Sequence, residues 1–235
     1  KVVNKMLDLL EENNPGIFED PNATFADLYV KSGLYLTEIA KRLNRGLESK
    51  IPDKSERVKH ILEKQLYGFA PTNIIYNIAR KYIYGTFSGI DDSNLKQLDL
   101  TDAFKKGETL NMKFTAVVGN PPYQGENRQQ IYPDFWTASI KIADISCMIF
   151  PIGWQEPKDA NNLRKMNKES VKRDRQIVKI DNIEDAFPGV SGAKWTNIIL
   201  WKKGYNNGLD GRQLIFENGE NPIKRLLPIS KLDIK

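Results

Sequence analysis

Apolar and polar positions alternate along this chain in two rhythms, and the places where one gives way to the other mark its elements. Residues 1–12 put Val2, Met6, Leu9 and Leu10 on one helical face. Asn13-Asn14-Pro15-Gly16 and Asp20-Pro21-Asn22 break that helix with turn residues. Thr24–Leu28 reads as a first strand. After Lys31-Ser32-Gly33, the residues Leu36, Ile39, Ala40, Leu43 and Leu47 recur at the spacing of an amphipathic helix. Residues 48–60 are charged and predicted to face solvent. Gln65–Ala70 reads as a second strand, with a helix carrying Ile74, Ile75, Ile78, Ala79, Tyr82 and Ile83 behind it. Asp91–Ser93 marks a turn before a third strand near Leu95–Leu98, and Lys113–Gly119 is the fourth. Tyr132–Ala143 is a predicted helix, Ser146–Pro151 a fifth strand, and Ile177–Ile183 and Asn197–Lys202 the sixth and seventh. Strand and helix alternate through the first five strands, which predicts right-handed crossovers and a mainly parallel sheet covered on both faces. The expected class is therefore α/β with a seven-stranded, mostly parallel sheet. Residues 1–204 would form the main domain and residues 205–235 a C-terminal extension.

Composition narrows the chemistry. At 235 residues and 40% hydrophobic, the chain can bury one large core. It has a single cysteine, Cys147, and a single histidine, His60, so no disulfide framework, Cys-based zinc site or His-rich metal site is expected. No long apolar run or signal peptide is visible, which predicts a cytoplasmic, nucleoid-associated protein without a membrane partner. A net charge of +5 permits a polyanionic partner without requiring one. The chain opens on Lys1-Val2-Val3 without a Met and closes on Leu232-Asp233-Ile234-Lys235, which reads as part of something longer.

The densest chemistry follows the fourth strand. Ala116-Val117-Val118-Gly119 ends directly in Asn120-Pro121-Pro122-Tyr123. Two prolines fix φ and remove two backbone donors, which leaves the carbonyls of Asn120 and Pro121 as outward acceptors. The Asn120 amide adds a third acceptor and Tyr123 a flat ring. Three acceptors around one point, with a ring beneath, suit an aromatic amino group held in plane.

This stretch resembles motif IV of the amino-methyltransferases, the (N/D/S)-P-P-(Y/F/W) signature of enzymes that methylate adenine N6 or cytosine N4 in DNA with S-adenosylmethionine. The Asn and Tyr version also occurs in glutamine-N5 protein methyltransferases. The segment Asp27 to Leu36 is similar to motif I, commonly D-P-x-x-G-S-G-x-F-L, with Asp27, Ser32, Gly33, Tyr35 and Leu36 in register. Small residues there let backbone N–H groups and a helix N-terminus meet the cofactor's carboxylate. Lys31 stands where the first glycine usually is, and two readings stay open: it crowds the cofactor, or its ammonium pairs with that carboxylate. Leu66–Thr72 resembles motif II, but Ala70 and Thr72 occupy the positions of the acid that grips the ribose. Asp102 resembles the motif III residue that holds the adenine amino group of the cofactor, with Asp99 as a rival. Residues 1–10 resemble motif X, Cys147–Trp154 motif VI, and Phe187-Pro188-Gly189 motif VIII, whose aromatic helps hold the target base. Two weakened anchors, at Lys31 and Ala70, imply loose cofactor binding.

The order motif X, cofactor half, catalytic half is the one called gamma. The chain thus resembles the methylase part of type II restriction-modification enzymes, with the Rossmann-like S-adenosylmethionine-dependent fold. The resemblance implies double-stranded DNA as substrate, N6 of adenine as the acceptor, and a restriction nuclease domain or subunit as a partner. Asn120, Pro121, Pro122 and Tyr123 would be catalytic; Asp27, Lys31, Ser32, Gly33 and Asp102 would bind cofactor; Phe187 would touch the base, and no metal is needed. Basic residues from Lys158 to Lys179 form a candidate phosphate-contacting strip, and Arg128 lies nearer the presumed base. Three rivals remain. A protein-glutamine methyltransferase explains the Asn-Pro-Pro-Tyr signature equally well. A scaffold that has lost its cofactor would explain Lys31 and Ala70. Pro133-Asp134 with Glu156-Pro157-Lys158 mimics a nuclease signature, but the first pair opens a helix and the second sits in a loop.

Overall fold

The computed structural model describes residues 1–85, 87–125, 129–154, 163–166, 176–184, 186–187 and 195–205, and the backbone of 213–218 and 221–226. Its helices are α1 (Val2–Asn13), α2 (Leu34–Gly46), α3 (Lys54–His60), α4 (Asn73–Tyr84), α5 (Thr101–Lys105) and α6 (Tyr132–Ile142). The first five strands are β1 (Phe25–Asp27), β2 (Leu66–Ala70), β3 (Leu95–Gln97), β4 (Phe114–Gly119) and β5 (Ala143–Pro151). Then come β6 (Ile177–Glu184), β7 (Trp195–Lys202), β8 (Gln213–Asn218) and β9 (Asn221–Leu226).

All seven expected strands form, in the order β3-β2-β1-β4-β5-β7-β6. The first five are mutually parallel, and β7 runs antiparallel between β5 and β6. Two further strands lie within the predicted extension: β8 pairs parallel with β6, and β9 pairs antiparallel with β8. Strand order reverses between β1 and β4, so their carboxyl ends flank the crevice where ligands bind in open α/β sheets.

Helices on both faces explain the nearly continuous apolar runs of the central strands. Alternate residues of one strand enter different cores. Ala116 and Val118 of β4, with Cys147 and Ile149 of β5, face α1, α2 and α4. Val117 of β4, with Met148 and Phe150 of β5, face the aromatic layer built by Phe104, Phe135, Trp136 and Trp154. The β1–β4 register is fixed by a reciprocal pair of hydrogen bonds: Thr24 N–H donates to Thr115 Oγ1 at 3.0 Å, and Thr115 N–H to Thr24 Oγ1 at 3.1 Å.

Two local expectations need correction. Residues 48–60 are not wholly solvent-facing, because Arg57 is buried. Its guanidinium donates to the carbonyls of Ile51 at 2.6 Å and Pro52 at 3.0 Å, and to Asn44 Oδ1 at 3.0 Å. Donors that satisfy loop carbonyls make burial of that charge tolerable. Helix α4 forms as expected, capped by Thr72, whose hydroxyl accepts from Ile75 N–H at 3.3 Å. Its buried stripe is Ala79, Ile83 and Tyr84, however, while Ile74, Ile78 and Tyr82 are exposed. The packing of Ile83 and Ala79 against Gly33 sets that rotation.

Replacing Arg57 by Met strands two carbonyls and one amide. Arg57→Met is expected to cost roughly 2–4 kcal/mol, read as a lowered urea midpoint. A midpoint unchanged from wild type would mean the guanidinium network contributes nothing net.

Candidate active site

The pairing of β1 with β4 puts Asp27 beside Gly119. A side-chain carbon on residue 119 would sit 2.9 Å from Asp27 Oδ1, so only glycine leaves room there for the carboxyl. Tyr29 N–H donates to the same oxygen at 3.0 Å. Asp27 is only 3% exposed, and burial pushes its pKa from 3.8 up to about 7 against the opposing pull of the Tyr29 N–H and of Lys31.

One residue past Gly119, Asn120 shares a cavity of about 180 Å3 with Asp27, Lys31, Ser32 and Gly33. Val2 and Val3 of α1, Tyr29, Leu34, Tyr35 and Phe187 complete its walls. Two sequence elements 87 residues apart therefore meet at the strand-order reversal. The cavity floor is the turn into α2, where Gly33 takes φ +88, a left-handed conformation that glycine adopts without strain. A Cβ on Gly33 would also fall 2.9 Å from the Ile83 side chain. The start of α2 has no side-chain cap, so its first N–H groups are free to meet an anion.

The β4 side of the cavity carries unused hydrogen-bonding capacity. Asn120 Oδ1 is buried without a hydrogen-bond partner, and the buried Tyr123 hydroxyl interacts with the Asn120 side chain. Burial holds the Tyr123 phenol well above its ordinary pKa, and the nearby Asn120 amide opposes that shift. The Tyr123 ring meets Tyr132 edge-on at 6.4 Å, and Tyr132 stacks on Phe150 at 5.4 Å. An aromatic layer thus props Tyr123 from behind. The loop after it folds back: Gly125 N–H donates to the Gln129 carbonyl at 2.8 Å, and Ile131 N–H to the Tyr123 carbonyl at 3.2 Å. Tyr35 joins the two sides. Burial chiefly, then Asp27, Tyr123 and Cys147, push its phenol pKa up, and its hydroxyl donates to Met6 Sδ at 3.5 Å.

Of the predicted site residues, Asp27, Lys31, Ser32, Gly33, Asn120 and Phe187 line one cavity. Pro121, Pro122 and Tyr123 follow directly in the chain, with Pro121 buried. Asp102 stands apart: its side chain is 88% exposed and lies 3.8 Å from Lys105. Asp99, its rival, acts electrostatically on Tyr29 at the cavity wall. Arg128, Glu156–Lys158 and most of the basic strip lie outside the described residues. The sequence reading did not single out Val3 or Tyr29. The signal for Tyr29 is its place two residues after the last strand residue that meets Gly119. Among the described residues, no three His, Cys, Asp or Glu side chains gather into a metal site, and no helix is long and apolar enough to cross a membrane.

Comparison with known proteins bears on this geometry. The family model described as Eco57I restriction-modification methylase matches residues 52–187, more than half of the chain. The chain belongs to that family. A protein described as an uncharacterized adenine-specific methylase from Mycoplasma pneumoniae is 21% identical, across 86% of this chain and 65% of its own length. Among solved structures, a type I restriction-modification assembly superposes with a TM-score of 0.66 at 14% identity, over 92% of this chain and 43% of that one. A DrdV–DNA complex superposes at 0.65 with 12% identity, over 92% and 26%. These likenesses show the fold. The chain spans less than two thirds of the curated relative and less than half of either structure.

The residues present fit the amino-acid half of S-adenosylmethionine. Gly33 leaves backbone space, the α2 N-terminus is uncapped, and Asp27 and Lys31 bring an acid and an amine to the wall. At the nucleoside end, Ala70 is buried and the Thr72 hydroxyl is occupied in capping α4, so neither replaces a ribose-binding acid.

Asp27 makes stability depend on pH. Its unfolded carboxyl ionises near 3.8, while the folded one keeps its proton to about 7. Within that window the folded state binds more protons, so stability falls as pH rises, by up to about 1.4 kcal/mol per pH unit. Asp27→Asn mimics the protonated form and keeps an acceptor for Tyr29. It should melt higher than wild type at about pH 8 and lose that advantage towards about pH 4. A difference in melting temperature that is flat with pH would contradict the assignment.

Proposed function

We propose that this chain is the catalytic core of a DNA methyltransferase that transfers a methyl group from S-adenosylmethionine to N6 of adenine, within a restriction-modification system. The observation that carries the proposal is the buried, unpartnered Asn120 Oδ1, with Tyr123 following it in the chain, at a cavity floored by Gly33. Buried polar atoms in folded proteins are rarely left without partners, and those that are deserve a functional explanation. Membership of the Eco57I family and the adenine-specific description of the Mycoplasma relative support adenine as the base. The DNA in the DrdV complex supports DNA as the substrate, and the type I assembly supports restriction partners.

S-adenosylmethionine would supply an electrophilic methyl carbon on a sulfonium. The chain's own residues do the rest. An adenine turned out of the duplex stacks on Tyr123, a contact worth roughly 1–3 kcal/mol. The Asn120 amide oxygen and the Pro121 carbonyl accept its two amino hydrogens and draw the nitrogen from planar towards tetrahedral. Its lone pair then points into the cavity that Asn120 and Gly33 share. Both acceptors stabilise the positive charge that develops on nitrogen, and the proton leaves to water afterwards. Cys147 takes no part, since burial pushes its thiol up to about 12.

Asn120→Ala in the full-length protein should lower methyl transfer to DNA at least about 100-fold, the scale of losing one preorganised polar group. Its melting temperature should remain close to wild type. Tyr123→Ala should reduce transfer sharply as well. Undiminished labelling of adenine by the Asn120 variant, followed with radioactive methyl donor, would refute the site. Transfer to a glutamine-bearing protein and none to DNA would favour the protein-glutamine reading.

A further inference from the structure

The loop between β1 and α2 departs from the small-residue pattern at one position, Lys31, and the surroundings of that side chain are informative. Lys31 lines the cavity together with Ser32, Gly33 and Asp27. Surrounding protein lowers its pKa, and the charge of Asp27 works in the opposite direction. Among the ion pairs of the described residues, none within 4.0 Å involves Lys31. Its neighbouring acid is partly protonated near neutral pH, so it offsets the ammonium incompletely. A crowded cation, with no ion pair within 4.0 Å among the described residues, thus stands next to an uncapped helix start at Gly33.

The two positions where the resemblance expects a ribose-gripping acid carry no charge. Ala70 closes β2 without an acid, and Thr72 spends its hydroxyl on Ile75. The exposed side chain of Asp102 pairs with Lys105 instead of entering the cavity. Electrostatic recognition of an adenosyl amino acid would then be concentrated at its amino-acid end.

We infer that Lys31 binds the carboxylate of the methyl donor and makes this site selective for adenosyl compounds that carry one. The inference rests on the proposed methyl-donor reading and adds a role that a glycine at position 31 could not fill. A cation already placed in the cavity wall loses little freedom when the anion arrives, and a charge-assisted hydrogen bond there is strong. Lys31 acts as a ligand-binding and selectivity residue, with no part in bond making.

The test compares two ligands that differ only in that group, S-adenosylmethionine and decarboxylated S-adenosylmethionine. Their affinities are measured by calorimetric titration on the full-length protein, as wild type, Lys31→Ala, Lys31→Gly and Lys31→Arg. Wild type should prefer the carboxylate-bearing ligand by at least tenfold. Lys31→Ala should weaken S-adenosylmethionine binding about 10- to 30-fold and leave the decarboxylated ligand within about twofold, so that the preference collapses. Lys31→Arg should keep most of it, and added salt should erode it in wild type. If Lys31→Gly binds both ligands as tightly as wild type, or more tightly, the side chain merely crowds the site and the inference is overturned. If wild type binds neither ligand at millimolar concentration, the methyl-donor reading itself falls, a result distinct from a failure of Lys31 alone.

Discussion

The structure depends on the parallel pairing of β1 with β4. Thr24 and Thr115 exchange hydrogen bonds at the entrance of the two strands, and Phe25 and Ala26 then lie opposite Ala116 and Val117. With that register set, Asp27 comes out against Gly119, where any side-chain carbon would crowd its carboxyl. A one-residue slip would turn every β1 side chain to the other face. It would also separate the β1–α2 turn from Asn120. The candidate site cavity is thus a consequence of strand register in the middle of the sheet.

The same pairing imposes costs on the fold. Burying Asp27 between two strands raises its pKa to about 7. Asn120 Oδ1 is withdrawn from water without a partner. Such groups lower the stability of the unliganded protein. The aromatic layer of Phe104, Phe135, Trp136, Phe150 and Trp154 offsets this by rigid, apolar packing beneath the Asn-Pro-Pro-Tyr turn. Tyr132 connects the two, edge-on to Tyr123 and stacked on Phe150. Well-packed cores on both faces of the sheet carry the crevice.

Much of this was legible in the sequence, for reasons that can be named. Apolar runs bounded by turn residues marked all seven strands, since a sheet covered on both faces leaves little choice of residue at its centre. The double proline after Gly119 and the Lys31-Ser32-Gly33 turn are local chemistry, visible without tertiary information. What escaped depends on contacts distant in sequence. Arg57 reads as a solvated charge, because the carbonyls of Ile51 and Pro52 that receive it come together only when the loop folds. The exposure of Ile74, Ile78 and Tyr82 is decided by Gly33, which lets Ile83 close on it. Tyr29 and Val3 line the cavity through the approach of elements that the pattern of either one does not disclose. Strands β8 and β9 extend the sheet from a region that reads merely as an extension.

The central claim is that a donor held past β1 faces an amino group held past β4. The most direct measurement is a crystal structure of the full-length protein with sinefungin, an analogue that carries an amine where the donor carries its methyl group. The account predicts density for the amino-acid end over residues 31–33, with that amine directed at the Asn120 side chain. Sinefungin bound elsewhere, or with its amine turned away from Asn120, would contradict it.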